Sequence, residues 1–230
     1  MKSTSDFPIL TRQLIRSGGI ERLLAEEAPG LRPSAQSDLE ASMQTMLEAR
    51  PDDDVWLFGY GSLIWNPAIR IAERKVARID GWQRSFSLAC IAGRGSTDNP
   101  GLVLALEEGG TCDGVALRID DNDLVEELRL VWRREMILGA YMPRWVDLLD
   151  RDGRRFGSAI AFTINPASDV YVGTLDTATI VERLATAVGS LGSSADYLYR
   201  TCEALREHGI PDRCLETLAE SVRNRQSQEA

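Results

Sequence analysis

The sequence contains a single histidine, and this scarcity excludes several kinds of catalytic site. A Ser-His-Asp triad needs a histidine base, and histidine-based metal centres need several such ligands. His208 is followed by Gly209 and Pro211, a pattern typical of the end of a helix, where a histidine charge is favoured by the helix dipole. We therefore expect His208 to lie at a helix C-terminus and not in an active site.

Cysteine pairs, excess basic charge and long apolar runs are also missing. The four cysteines form no Cys-x-x-Cys pair and no zinc spacing, which is typical of reduced thiols in a cytoplasmic protein. A net charge of −9 disfavours nucleic acid and anionic membranes as partners. No apolar run reaches the roughly 18 residues of a membrane span, and the first residues lack the apolar region of a signal peptide. These features predict a cytoplasmic protein, and they leave its oligomeric state open.

The chain has room for one domain with an appendage, since it has 230 residues of which 43% are hydrophobic. We predict an N-terminal helical extension over residues 1–50 and a main domain over residues 51–226. In the extension, Ser37 and Glu40 have the spacing of a capping box. Gly18-Gly19 is expected to interrupt the shorter helices that come before it.

The main domain begins with a mostly β pattern and ends with helices. Strands are predicted at 55–59, 70–79, 84–91, 101–107, 113–119, 143–150 and 154–164. Helices are predicted at 121–139, 177–188, 194–208 and 212–224. This order indicates an α+β fold in which a small mixed sheet or barrel is flanked by helices.

The first of these strands runs into the most informative turn of the sequence. The apolar residues 55–58 are followed by Gly59-Tyr60-Gly61 and then by Ser62-Leu63. Glycine lets a ligand approach the main chain closely, and a row of backbone N–H groups suits a carboxylate or a developing oxyanion. A dinucleotide-binding motif is excluded because its third glycine is missing. The alternative is a tight turn that binds no ligand.

A glutamate continues the apolar stripe of the helix at 121–139. Leu124, Leu128, Val131 and Glu135 are spaced by four, three and four residues and so share one face. Desolvation on that face would raise the pKa of Glu135 and make it a suitable general base. The alternatives are a buried ion pair or emergence into solvent at the last turn.

Neighbouring charged residues on this helix are expected to lie off the apolar face. Arg133 and Arg134 should point elsewhere by helical geometry, which weakens the case for a local ion pair. Glu126 and Glu127 should be solvated for the same reason.

Two further polar residues are candidates for substrate contacts. Arg84 lies in a strand-like segment and is either a bidentate partner for a substrate carboxylate or an exposed side chain. Tyr141 follows Gly139 just past the helix, and its hydroxyl either reaches the site or makes one ordinary buried hydrogen bond.

Several motifs together resemble the ChaC family of glutathione-specific γ-glutamylcyclotransferases. The motifs are Phe58-Gly-Tyr-Gly-Ser-Leu-Ile-Trp65, Gly93-Arg-Gly-Ser-Thr-Asp98, Gly114-Val-Ala-Leu-Arg-Ile119, Arg134-Glu135-Met136 with Gly139-Ala-Tyr141, Tyr171-Val-Gly173 and Gly189-Ser-Leu-Gly-Ser-Ser-Ala-Asp-Tyr-Leu198. The resemblance covers roughly residues 55 to 222. It has no counterpart for the first 50 residues, and the stretch between 84–91 and Gly101 looks shorter than in some relatives.

The resemblance implies a γ-glutamylcyclotransferase-like fold, which makes residues 51–226 a catalytic domain that needs no metal and no cofactor. It places the catalytic glutamate at Glu135 and the substrate-binding loop at Tyr60, Gly61, Ser62 and Leu63. The implied reaction converts glutathione to 5-oxoproline and cysteinylglycine, with Glu135 moving the protons.

Two other functions are kept as alternatives. The same chemistry would suit other γ-glutamyl amino acids or amines, because the loop and the glutamate recognise only the γ-glutamyl half. A non-enzymatic regulator of cation transport is the third reading, although it would require neither the loop nor the glutamate.

Overall fold

A closed barrel of five strands forms the body of the fold in the computed structural model, which describes residues 10–228. The strands are β1 (Trp56–Gly59), β2 (Ile71–Cys90), β3 (Gly101–Ile119), β4 (Tyr141–Leu149) and β5 (Arg155–Ile164). They follow the order β1-β3-β2-β4-β5, and β1 pairs antiparallel with β3 and parallel with β5. All of β1 is buried, which explains why its sequence is continuously apolar. The predicted mixed barrel is confirmed.

The two longest strands are more continuous than the sequence indicated. The prediction divided β2 and β3 into two strands each, near their central glycines. Gly81 has φ +80° and lies at a register shift between Asp80 and Trp82, while Gly109 and Gly110 also have positive φ. These glycines bend the strands at bulges and leave the ladder intact on either side. The glycine signals therefore mark the curvature of a barrel and not the ends of strands.

Helices pack against the barrel, and all of those in the main domain except the short α4, which was not predicted, lie close to their predicted positions. In the main domain they are α4 (Ser62–Trp65), α5 (Leu124–Glu135), α6 (Thr177–Thr186), α7 (Ser194–Glu207) and α8 (Arg213–Ser227), and α1 (Arg12–Arg16), α2 (Gly19–Glu27) and α3 (Gln36–Glu48) precede them. The short strands β6 (Val188–Gly189) and β7 (Gly192–Ser193) pair with each other. His208 caps the C-terminus of α7, as predicted. The helix predicted at 121–139 begins as a 3₁₀ turn and ends at Glu135, because Gly139 (φ +61°) turns the chain towards β4.

The last helix before β1, α3, shares the main hydrophobic core. Leu39 and Met43 of α3 are buried there. The predicted capping box is wrong: α3 begins at Gln36 with Ala35 as its N-cap, and the Glu40 carboxylate accepts hydrogen bonds from Arg129 on α5. The break between α1 and α2 at Gly18 agrees with the sequence. Division of the chain into an extension and a catalytic domain stays a prediction.

One buried carboxylate ties α1 to α5. Glu127 was expected to be solvated, but it is fully buried and accepts hydrogen bonds from the Arg12 guanidinium and from the Arg70 backbone N–H at 3.0 Å. The expectation failed because helical geometry alone does not reveal that α1 covers this face of α5. Glu126 is exposed, as expected. Across residues 10–228, no helix combines the length and the apolar character needed to cross a bilayer.

Candidate active site

The glycine loop lies between β1 and α4 at one end of the barrel. Gly61 is the N-cap of α4, and Ser62 is its first residue. A Cβ atom added at Gly61 would lie 2.6 Å from the hydroxyl oxygen of Tyr197, which is closer than any real contact of this kind. Position 61 therefore has to be glycine for Tyr197 to approach the loop backbone.

Glu135 is the last residue of α5, and its side chain is only 13% exposed. The nearest cation is the guanidinium of Arg134, whose Nε lies 2.8 Å from Glu135 Oε1. Even so, Oε1 is buried without a well-aligned hydrogen-bond donor. Burial raises the pKa of Glu135 above its usual value of 4.5, and the attraction to Arg134 offsets only part of this effect. The carboxylate thus has the properties of a general base that is held ready for a proton.

The ion pair corrects an expectation, since Arg134 was predicted to point away from Glu135. Its side chain instead contacts Glu135 on its own helix and both ends of α4. Nη2 donates to Ser62 Oγ at 2.8 Å, and Nη1 donates to the carbonyl oxygen of Asn66. Arg134 therefore holds the glycine loop and Glu135 together, and the two motifs that the sequence singled out meet in space.

Two buried tyrosines, Tyr60 and Tyr197, and the partly buried Tyr141 surround Glu135. Tyr60 donates its hydroxyl proton to the carbonyl oxygen of Phe162 at 2.8 Å, and Tyr141 donates to that of Leu104 at 3.0 Å. Burial raises the pKa of both hydroxyls well above 10.0, and it raises the pKa of Tyr197 to about 12. All three hydroxyls are neutral at physiological pH. Since Tyr60 and Tyr141 already donate to the backbone, their oxygens are left to accept hydrogen bonds from a ligand.

These side chains line a cavity with two compartments. The inner compartment, of about 20 Å³, is lined by Tyr60, Gly61, Ser62, Leu63, Leu104, Glu135, Tyr141, Phe162 and Tyr197. The outer compartment, of about 240 Å³, also has Ser62, Glu135, Tyr141 and Tyr197 in its wall, and it continues past Trp65, Cys90, Arg94, Arg134, Leu191 and Arg200. The volume suits a small molecule and not a polymer. Within residues 10–228, no group of His, Cys, Asp and Glu side chains is arranged to hold a metal ion.

Arg84 lies behind the glycine loop, outside the walls of the two compartments. Its side chain is 8% exposed, and it donates to the carbonyl oxygens of Tyr60 and Asp113 and, at 2.6 Å, to the carboxylate of Asp212. Arg84 thereby braces the glycine loop against the N-terminus of α8, where Asp212 is the N-cap. A direct contact with a substrate carboxylate stays a prediction.

Three residues of the cavity were missed as individual candidates. Tyr197 and Arg94 lie within motifs that carry the family resemblance, so their segments gave a signal although their side chains did not. Arg200 lies on α7 outside those motifs, and only the packing of α7 against the barrel brings it to the cavity.

The fold and site together define a γ-glutamylcyclotransferase-like barrel with one buried glutamate. A family model described as ChaC-like protein matches residues 55–225, and the chain belongs to this family. It is 42% identical over 184 residues to a glutathione-specific γ-glutamylcyclotransferase of Escherichia coli, covering 80% of this chain and 79% of that protein. It is 33% identical over 155 residues to glutathione-specific γ-glutamylcyclotransferase 1 of Danio rerio, covering 66% and 79%.

A solved structure agrees on the fold. The crystal structure of a glutathione-specific γ-glutamyl cyclotransferase from yeast superposes with a TM-score of 0.68 at 22% identity, covering 76% of this chain and 97% of that one. At this level of identity the likeness concerns the fold alone, and it agrees with the barrel described above.

Proposed function

We propose that this protein is a γ-glutamylcyclotransferase that converts glutathione to 5-oxoproline and cysteinylglycine. The observation that carries the proposal is the buried carboxylate of Glu135, which faces the glycine loop with one oxygen lacking an aligned donor. The relatives with the same family signature act on glutathione by name. We place the enzyme in the cytoplasm, since all four cysteines are free thiols.

The reaction is an intramolecular aminolysis, and the protein has to fold the substrate and move protons. The α-amine of the γ-glutamyl group attacks the γ-carbonyl carbon, and a new C–N bond closes a five-membered ring. The bond between that carbon and the cysteine nitrogen then breaks. Counted from the ammonium form, the attacking nitrogen loses two protons on becoming the lactam N–H. The leaving nitrogen gains two on becoming the ammonium group of cysteinylglycine, so the reaction consumes no water and no oxidant.

Glu135 serves both proton transfers in this scheme. Its raised pKa allows the carboxylate to accept a proton from the α-ammonium group, which cannot attack while it is protonated. Once protonated, the same group is an acid and delivers this proton to the leaving cysteine nitrogen. The regenerated carboxylate then accepts the second proton of the ring nitrogen, which the product amine takes up.

Residues around Glu135, where the inner compartment opens into the outer one, position the γ-glutamyl group. Tyr60 and Tyr141 offer oxygens that can only accept hydrogen bonds, which suits the N–H groups of the substrate ammonium. Backbone N–H groups of the loop at Tyr60, Gly61, Ser62 and Leu63 bind the developing oxyanion. Arg134 keeps the loop and the base at a fixed separation through its contacts with Ser62 and Glu135.

Release of 5-oxoproline from reduced glutathione tests the proposal, with wild type and Glu135→Gln assayed side by side. Turnover by the wild type alone is expected. Absence of turnover with glutathione, but turnover with γ-glutamyl-alanine, would move the assignment to other γ-glutamyl substrates. Absence of 5-oxoproline from both compounds would refute the enzymatic function.

A further inference from the structure

The outer compartment carries a positive charge that the chemistry at Glu135 does not use. Arg94 and Arg200 lie in its wall, and both pair with the carboxylate of Asp196, at 3.5 Å and 3.0 Å. The third arginine of the wall, Arg134, is already matched by Glu135. Two guanidinium groups therefore share one carboxylate. One positive charge is left in excess at this cavity, on a chain whose net charge is −9.

The two arginines are held in place before any ligand arrives. Arg94 Nη1 donates to the carbonyl oxygen of Ser193 at 2.9 Å, and the side chain is 15% exposed. Both guanidinium groups lie over the ring of Trp65, at 5.6 Å and 5.5 Å from its centre. Such groups lose little freedom on binding, which favours recognition of an anion.

Arg200 is the better placed of the two to bind a ligand. Its side chain is 28% exposed and engages Asp196 through Nε. Among the residues at 10–228, no hydrogen bond is made to its two terminal nitrogens. A guanidinium with both terminal nitrogens free can bind a carboxylate through two parallel hydrogen bonds.

We propose that Arg200, supported by Arg94, binds the glycine carboxylate of glutathione and thereby selects the tripeptide over shorter γ-glutamyl compounds. This inference rests on the proposed function, which places the γ-glutamyl group beside Glu135, where the two compartments meet. An extended tripeptide spans roughly 10 Å, so its far end lies in the outer compartment with the cysteinylglycine half. A γ-glutamyl amino acid ends one residue earlier, roughly 3.5 Å short of that point.

A structural role for the Arg94–Asp196–Arg200 cluster is the alternative, because it also joins α7 to the segment at 93–94. The experiment separates the two by changing the substrate as well as the protein. The probes are reduced glutathione and its glycine ethyl ester, in which the same carboxylate is neutral. Binding is measured by calorimetry in the Glu135→Gln background, where the ligands are not consumed, and KM is measured in the active enzyme.

The Glu135→Gln protein without further substitution, called the parent below, should bind the ester roughly tenfold more weakly than glutathione. This is the factor expected for loss of a partly exposed charge-assisted hydrogen bond. Arg200→Gln should weaken the binding of glutathione by roughly the same factor. It should change the affinity for the ester by less than about twofold, so that the protein no longer discriminates between the two ligands. Arg200→Lys should retain part of the discrimination. Arg206→Gln is the matched control, since Arg206 lies on the same helix, is exposed and pairs with Glu216, and it should retain the full discrimination.

Equal weakening of both ligands by Arg200→Gln would assign it a structural role and overturn the proposal, as would equal binding of both by the parent. Discrimination without any 5-oxoproline from the wild type would overturn the cyclotransferase function and leave the carboxylate site standing. Turnover without discrimination would overturn the carboxylate site alone. Failure of Glu135→Gln to bind either ligand, together with equal KM values for both in the wild type, would overturn the carboxylate site.

Discussion

Replacement of Glu135 by glutamine should abolish turnover and leave the fold intact or more stable. Glutamine has the same size as glutamate and can accept no proton at neutral pH. Positioned proton transfer contributes roughly 10²- to 10⁴-fold to a rate, and we expect the upper end because Glu135 serves as both base and acid. A 10⁴-fold loss corresponds to about 5.4 kcal/mol of transition-state stabilisation.

The stability of the variant follows from the direction of the pKa shift. Glu135 has a raised pKa in the folded protein, so the fold disfavours its charged form, and the attraction to Arg134 does not compensate for burial. Below the unfolded value near 4.5 the group is protonated in both states and imposes no penalty. The loss of folding stability caused by the charged carboxylate begins as the pH rises through 4.5 and is complete above the pKa of the folded protein. A glutamine at position 135 carries no charge and avoids this loss.

The assay combines 5-oxoproline release with thermal unfolding at pH 4.5 and above. The difference in Tm between Glu135→Gln and wild type should grow in favour of the variant as the pH rises, and then level off. Each kcal/mol corresponds to roughly 2–4 °C for a chain of this size. Glu126→Gln is the matched control, because Glu126 lies exposed on the same helix and carries the same charge.

Two results would refute this reasoning. Retention of a tenth or more of the wild-type rate would remove Glu135 from the proton transfers. A fall in Tm of several degrees at neutral pH would show that the ion pair with Arg134 outweighs desolvation and that the inferred direction of the pKa shift is wrong.

Three further predictions concern the structure around the site. Gly61→Ala should lower the free energy of unfolding by about 1–3 kcal/mol and remove most of the activity, because the new Cβ would lie 2.6 Å from the Tyr197 hydroxyl. Adding Tyr197→Phe should restore the Tm, and a Tm that stays low would refute the clash. Arg84→Gln should lower Tm with a change in KM for glutathione below about threefold, whereas a rise of tenfold or more would return Arg84 to the substrate. Arg12→Ala should lower the free energy of unfolding by about 2 kcal/mol. The loss is smaller than for a fully buried ion pair because the Arg12 side chain is 32% exposed. A Tm equal to that of the exposed control Arg22→Ala would show that the ion pair between Arg12 and Glu127 does not stabilise the fold.

Local patterns predicted most of the elements correctly. Alternation and β-branched runs located the strands, helical spacing located α5, and Gly209 marked the end of α7, because these signals depend on neighbours within one or two turns. The errors share a cause. The sequence cannot distinguish a glycine that ends a strand from one that bends it, as at Gly81, since both need the same positive φ.

The sequence by itself determined the chemistry of this protein. One histidine excluded the familiar triads, and the glycine loop with Glu135 on an apolar stripe indicated a buried base facing a row of N–H groups. Tertiary structure decided which polar side chains belong to the site. It joins Arg84 to Asp212 and to the backbone of the glycine loop, and it places Arg94, Arg134 and Arg200 in the wall of the cavity. An arginine side chain reaches several ångströms from its backbone, and partners such as Asp212 for Arg84 or Ser62 for Arg134 are remote in sequence. Burial of a charge, as at Glu127 and Glu135, is likewise a property of the packed elements around it, and no local pattern specifies what will cover it.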